Sequence, residues 1–161
     1  MRTAARAPVT HRRFLGAVSG MGVLGATRAL SAPAPTATVQ VWKDPNCGCC
    51  KDWITHLERQ GFQTQVFDQG NTTARARLGM PQNLGSCHTA LVQGYVIEGH
   101  VPAADIQRLL KERPQALGLA VPGMPIGSPG MDGPVYSGHR DPYQVLVVRK
   151  DGTTTVFSNH S

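Results

Sequence analysis

Three of the four cysteines are packed into one short stretch, Cys47-Gly48-Cys49-Cys50, and the fourth, Cys87, lies far along the chain. A cluster this tight cannot staple distant segments together. Cys49 and Cys50 are adjacent, with Cα atoms about 3.8 Å apart across a trans peptide. That is below the usual disulfide span of about 4.4–6.8 Å, so a bond between them is strained. Cysteines so arranged suit a soft metal or a redox cycle better than a disulfide framework. Thr38-Val39-Gln40-Val41-Trp42 alternates as a strand does. Lys43-Asp44-Pro45-Asn46 is turn chemistry. From Lys51 a helix is expected, with Trp53, Ile54 and Leu57 on its apolar face and Gly61 closing it. Cys47 and Cys50, with Cys-x-x-Cys spacing, therefore stand where a strand hands over to a helix. There the helix dipole and free N–H groups stabilise negative sulfur.

Phe62 to Phe67 reads as a second strand, parallel to the first because a helix separates them. Residues 68–86 are polar, with a short helix expected over Thr72 to Leu78 and ended by Met80-Pro81; Met80 reads as core. Gly85-Ser86-Cys87-His88 leads into a third strand, Thr89 to Val92, and Tyr95 to His100 returns as a hairpin after Gly94. A helix follows over Ala104 to Arg113, with Ile106, Leu109 and Leu110 inward and Pro114 as its stop. Gly118 to Pro134 is dense in glycine and proline and reads as a long irregular loop. Pro142 to Val148 then turns at Asp151-Gly152 into Thr153 to Phe157 as a hairpin.

The order strand, cysteine-rich turn, helix, strand, then strand, strand, helix is that of a thioredoxin-like domain. The expected class is α/β: a thioredoxin-like fold with a long Gly/Pro-rich loop and a C-terminal β-hairpin. In that fold the segment before the third strand folds back against the Cys-x-x-Cys turn. Cys87 would then stand beside Cys47, Cys49 and Cys50, with His88 in the place a proline normally holds.

The N-terminal region reads separately. Arg2, Arg6, Arg12 and Arg13 precede an apolar, small-residue run from Phe14 to Ala26, and Arg28-Ala29-Leu30-Ser31 follows. Basic, apolar and small-residue segments in this order describe an export signal over residues 1–31, cleaved after Ser31 so that Ala29 and Ser31 fill the two small-residue positions. The apolar run is too short, and too rich in Gly and Ala, for a membrane span of about 20 residues. Arg12-Arg13-Phe14-Leu15 resembles a twin-arginine signal but lacks the residue that usually separates the arginine pair from Phe-Leu, so the twin-arginine and general routes both stand. Residues 32–37 form a short Pro-rich leader, and residues 38–161 the metal-binding domain. The first 31 residues hold five of the sixteen Lys and Arg and none of the ten acids, which leaves a net charge of +1 on the rest. No basic patch remains to favour nucleic acid.

Three clustered thiolates with a fourth nearby suit Cu(I), or less well zinc. Met124 and Met131 lie in the Gly/Pro-rich segment, and thioether is a soft, proton-independent ligand, so both are candidate copper ligands. Of the histidines in the domain, His88 is the candidate ligand. His56, His139 and His160 read as structural or solvated, and His100 as orienting a ligand or satisfying a turn.

Pro45-Asn46-Cys47-Gly48-Cys49-Cys50 with Trp53 and His56-Leu57 resembles the opening of the CopG-like periplasmic copper-resistance family, long known only as a domain of unknown function. The resemblance continues through Ser86-Cys87-His88-Thr89-Ala90, Gly94-Tyr95, Glu98-Gly99-His100-Val101-Pro102-Ala103, Gly118 to Pro125, and Gly127-Ser128-Pro129-Gly130-Met131. It covers about residues 38–157 and implies a periplasmic thioredoxin-like protein of copper resistance. Its ligands would be copper ions, several of them bridged by cysteine sulfur, and its partners other periplasmic copper-handling proteins. It further implies interconversion of Cu(I) and Cu(II), a copper oxidoreductase activity. Cys47, Cys49, Cys50 and Cys87 carry over as ligands, with His88, Met124 and Met131 as further candidates. Two other readings stand beside it: a thiol-disulfide oxidoreductase that uses Cys47 and Cys50, and a structural zinc site of the four cysteines.

Overall fold

The computed structural model describes residues 37–161. The export signal expected over residues 1–31, and the leader up to Thr36, lie outside the described residues. The structure is mixed α/β. Among the described residues seven strands form one sheet: β1 (Thr38–Lys43), β2 (Gln63–Phe67), β3 (His88–Val92), β4 (Tyr95–Glu98), β5 (Gly118–Ala120), β6 (Tyr143–Val148) and β7 (Thr154–His160), in the spatial order β2-β1-β3-β4-β5-β6-β7. The helices α1 (Gly48–Arg59), α2 (Thr72–Arg77) and α3 (Ala103–Glu112) lie in the connections between them. The β1–β2 and β4–β5 pairs are parallel and the other four antiparallel. Among the described residues no helix is long and apolar enough to cross a membrane.

Successive strand residues point to opposite faces, and the core divides accordingly. On one face Val39, Val41, Ala90, Val92, Ile97 and Leu119 pack with Trp53, Ile54 and Leu57 of α1 and Ile106 and Leu109 of α3. On the other, Val96, Ala120 and Val148 pack with Met80 and Leu84 from the connection that carries α2. The sheet is thus covered on both sides.

Two expectations need correction. The first helix begins at Gly48, a turn before Lys51, because Cys47 caps it: its sulfur accepts a hydrogen bond from the Cys50 N–H at 3.3 Å. Cys49 and Cys50 therefore lie in the helix's first turn, not in a loop ahead of it. The segment expected as loop from Gly118 opens instead with β5, an inner strand between β4 and β6. A side chain cannot stand at its first position. A Cβ on Gly118 would come within 1.7 Å of the Val96 carbonyl oxygen.

That contact predicts that Gly118→Ala separates β5 from β4 and costs at least about 1–3 kcal/mol, the usual range for overpacking. Urea unfolding followed by circular dichroism measures it. Stability within a few tenths of wild type would contradict the close approach.

Candidate functional site

The sheet register builds the site. Lys43, the last residue of β1, pairs with His88, the first of β3. The turn after β1 and the segment before β3 therefore emerge side by side at one end of the sheet. The first carries Cys47, Cys49 and Cys50, and the second Cys87. The four sulfurs all lie within 4.8 Å of one another. Cys47 and Cys50 are joined by a disulfide, and Cys49 and Cys87 are free. Cys49 Sγ is 3.5 Å from Cys47 Sγ and 3.9 Å from Cys87 Sγ. Cys50 is fully buried, its Sγ 3.6 Å from the Cys87 carbonyl oxygen; Cys47, Cys49 and Cys87 are partly exposed.

His88 and His100 are both fully buried, and with Cys87 they form a second group of convergent donors. The His88 ring lies tilted by 38° against Trp53 with centroids 4.2 Å apart and meets His100 edge-on at 5.0 Å. Its Nδ1 lies 3.4 Å from Cys87 Sγ. Among the described residues its Nε2 is the buried side-chain N or O atom with no hydrogen-bond partner. His100 is closer still: its Nε2 is 3.0 Å from Cys87 Sγ, and its Nδ1 is 2.7 Å from the Pro129 carbonyl oxygen. His100 thus stands in the bend that follows β4 and also faces the Cys87 thiol. The signal lay in the hairpin register. Thr89 pairs with Glu98, and the Gly99 N–H donates to the His88 carbonyl, so the next step along the ladder sets Cys87 opposite His100.

Burial shapes the protonation of these groups. It pushes the Cys87 thiol up to about 12, with the neighbouring Cys49 adding to the effect. It lowers the pKa of His88, where the nearby His100 adds to the effect, and that of His100, where the bond to Pro129 opposes it. Both rings are therefore neutral at pH 7, as a ligand must be.

A buried ion pair holds the Cys87 segment. Glu98 is fully buried and accepts from Arg75 Nε at 2.9 Å, the Ser86 N–H at 2.7 Å and Thr89 Oγ1 at 2.7 Å. Arg75, from α2, also donates to the Ser86 carbonyl, as does Asn71 Nδ2 at 3.1 Å. Both backbone groups of the residue before Cys87 are thus fixed by side chains.

The Gly/Pro-rich segment closes over the same place. Gly130, with φ +87°, sits where a Cβ would come within 2.5 Å of the Cys49 carbonyl oxygen and 3.3 Å of His100 Nδ1. Only glycine takes this conformation freely at so close an approach. Met131 follows it; its side chain is buried and its sulfur accepts from the Tyr136 hydroxyl at 3.3 Å. Met124 is 49% exposed and follows Gly123, whose carbonyl accepts from Ser86 Oγ. His139 is exposed and pairs with Asp141 at 3.0 Å; His160 pairs with Asp105 at 2.8 Å and stacks on Tyr143. His56 Nε2 accepts from the Ala103 N–H that opens α3, at 3.1 Å.

Fold and site together define an α/β protein that gathers thiols and imidazoles, a donor set for a soft or borderline metal ion. No curated protein matches the chain. The family model described as "Protein of unknown function, DUF411" matches residues 84–131. Two solved structures of copper resistance protein CopG are similar over nearly their whole length. Form 2 is 44% identical with a TM-score of 0.72, covering 78% of this chain and 99% of that one. Form 1 is 45% identical with a TM-score of 0.71, covering 78% and 98%. The chain belongs to the CopG copper-resistance protein family.

Arg75→Met leaves Glu98 buried without its partner, and the expected loss is about 3–5 kcal/mol in chemical unfolding; a loss below about 1 kcal/mol would show that the pair does not organise the segment. The lowered pKa of His56, like those of His88 and His100, begins with burial. The unfolded chain therefore binds protons near pH 6.5 that the folded chain refuses. This contribution to stability is complete above about pH 6.5 and is lost as pH falls below it. Unfolding of the metal-free protein should show stability rising from about pH 5 to 7, with a shallower rise in His56→Gln. A flat profile would contradict the burial.

Proposed function

We propose that this is a periplasmic copper-binding protein of copper resistance, whose cysteine cluster holds Cu(I) and changes the oxidation state of copper. The observation that carries this reading is the convergence of Cys47, Cys49, Cys50 and Cys87 within 4.8 Å, in a chain 44–45% identical to solved structures of a copper resistance protein. Thiolate sulfur is soft and selects Cu(I). Several ions bridged by cysteine sulfur fit a cluster with this many sulfurs. His88 joins the ligand set, supported by its unpartnered buried Nε2. Met124 and Met131 are assigned as thioether ligands, supported by the seating of Gly130 on Cys49 and of Gly123 on Ser86.

The redox half of the proposal is supported by the disulfide. When the Cys47 and Cys50 thiolates join, they release two electrons, enough to reduce two Cu(II) to two Cu(I); the reverse reaction reopens the disulfide. The fold is read as thioredoxin-like, supported by the parallel β1-α1-β2 unit beside the antiparallel β3–β4 hairpin and α3. Export to the periplasm, with residues 1–31 removed after Ser31, is supported by the basic, apolar, small-residue order of that stretch.

The same disulfide favours a second reading, a thiol-disulfide oxidoreductase that needs only Cys47 and Cys50. Cys49→Ser separates the two: it lowers copper stoichiometry in the first reading and leaves disulfide exchange intact in the second. The test is metal content after anaerobic loading of the reduced protein with Cu(I) against excess zinc. More than one tightly held copper per chain is expected, falling in Cys87→Ser. Retained zinc alone would favour a structural zinc site. No retained metal, with reversible Cys47–Cys50 oxidation, would leave the oxidoreductase.

A further inference from the structure

Disulfide formation and copper binding draw on the same sulfurs. Only thiolate ligates a metal, so closing Cys47–Cys50 takes two of the four donors away. The two that remain are not stranded. Cys49 Sγ and Cys87 Sγ are 3.9 Å apart. Two sulfurs on one ion, with bonds of about 2.3 Å, are separated by about 3.8–4.0 Å.

A nitrogen stands beside them. A carbonyl oxygen only accepts hydrogen bonds, so the 2.7 Å contact with Pro129 places the His100 proton on Nδ1. Nε2 then presents its lone pair toward Cys87 Sγ, 3.0 Å away. Metal-bound histidines characteristically donate their other N–H to a backbone carbonyl or carboxylate in this way, which fixes ring and tautomer. The turn that supplies the Pro129 carbonyl continues into Gly130, which rests on the Cys49 carbonyl and on His100. One turn of backbone thus registers Cys49 and His100 against each other, through contacts that involve neither Cys47 nor Cys50.

We propose that the disulfide-closed chain retains a single-ion Cu(I) site made of Cys49 Sγ, Cys87 Sγ and His100 Nε2, so that oxidation lowers copper capacity without abolishing it. This rests on the copper reading above. In the redox step two Cu(II) take one electron each from the Cys47 and Cys50 thiolates, and the S–S bond forms. One resulting Cu(I) stays with Cys49, Cys87 and His100. The other has lost two sulfur donors and passes to an external thiol or thioether acceptor.

The test compares the purified protein in two states. Thiol titration should count two free cysteines in the oxidised form and four in the reduced form. Each form is loaded anaerobically with Cu(I) against a competing chelator, and the bound copper is counted and examined by X-ray absorption. The oxidised form should hold one Cu(I), with nitrogen as well as sulfur in its coordination shell. His100→Asn should weaken that ion by at least about tenfold to a hundredfold. The double variant Cys47→Ser/Cys50→Ser, which lacks the disulfide sulfurs, should also keep one Cu(I) with nitrogen bound. That variant, together with thermal unfolding of His100→Asn, separates loss of a ligand from loss of the fold. Copper in the reduced form but none in the oxidised form would overturn this proposal and leave the copper reading intact. An all-sulfur shell, or unchanged affinity in a folded His100→Asn, would overturn it as well. Absence of copper from both forms would remove the copper reading and this proposal with it.

Discussion

Everything at the site depends on the pairing of β1 with β3. With Lys43 opposite His88, the chain leaves β1 and enters β3 at the same end of the sheet. Side chains alternate with period two along a strand, so a slip of one residue would turn His88 from the α1 face, where it lies against Trp53, to the other. The register is held by packing: Val39, Val41, Ala90 and Val92 are all fully buried on the face that carries α1 and α3. Core and site are thus one constraint. The hydrophobic pattern that sets the register also delivers Cys87 to the cysteine turn.

Much of this was legible. Alternation marks β1, apolar runs turned at Gly94 and at Asp151-Gly152 mark β3, β4 and the final hairpin, and the helical spacing of Trp53, Ile54 and Leu57 marks α1. What failed has local causes. Cysteine is not among the residues that signal a helix start, so nothing in the sequence marks the cap that Cys47 Sγ makes, and α1 begins a turn before its expected start. Gly118-Leu119-Ala120 is too short to show a period and begins with a residue that strands avoid. It is a strand because glycine lets its backbone close on Val96, a tertiary fact. His100 follows a glycine at the end of a short strand, where a turn is the ordinary reading; the ladder that sets it opposite Cys87 becomes visible only once Thr89 is paired with Glu98.

The Arg75–Glu98 pair sits at the other side of the same segment. A buried ion pair is weak evidence of stabilisation, because desolvation can offset its attraction. Its position here suggests a geometric role. Glu98 takes the Ser86 N–H and Arg75 the Ser86 carbonyl, so the peptide leading into Cys87 is fixed at both polar groups. Burial raises the Glu98 pKa while Arg75, Thr89 and Ser86 hold it down. The acceptor for the Ser86 N–H is therefore a carboxylate whose charged form these hydrogen bonds favour and burial opposes, with burial the larger effect.

Selectivity at such a site has to come from its donors and not from the field around it. Beyond residue 31 acids and bases nearly balance, so little long-range attraction draws a cation in. The inner donors differ from those at the surface. Burial lowers the pKa of both His88 and His100, which favours the neutral ring with its lone pair free. Cys87, pushed up to about 12, stays a thiol until something displaces its proton. Hard cations, which prefer oxygen, have little to gain by displacing it. A soft cation with strong affinity for thiolate can drive that exchange. The burial that raises the cost of ionising Cys87 therefore also filters what can bind there.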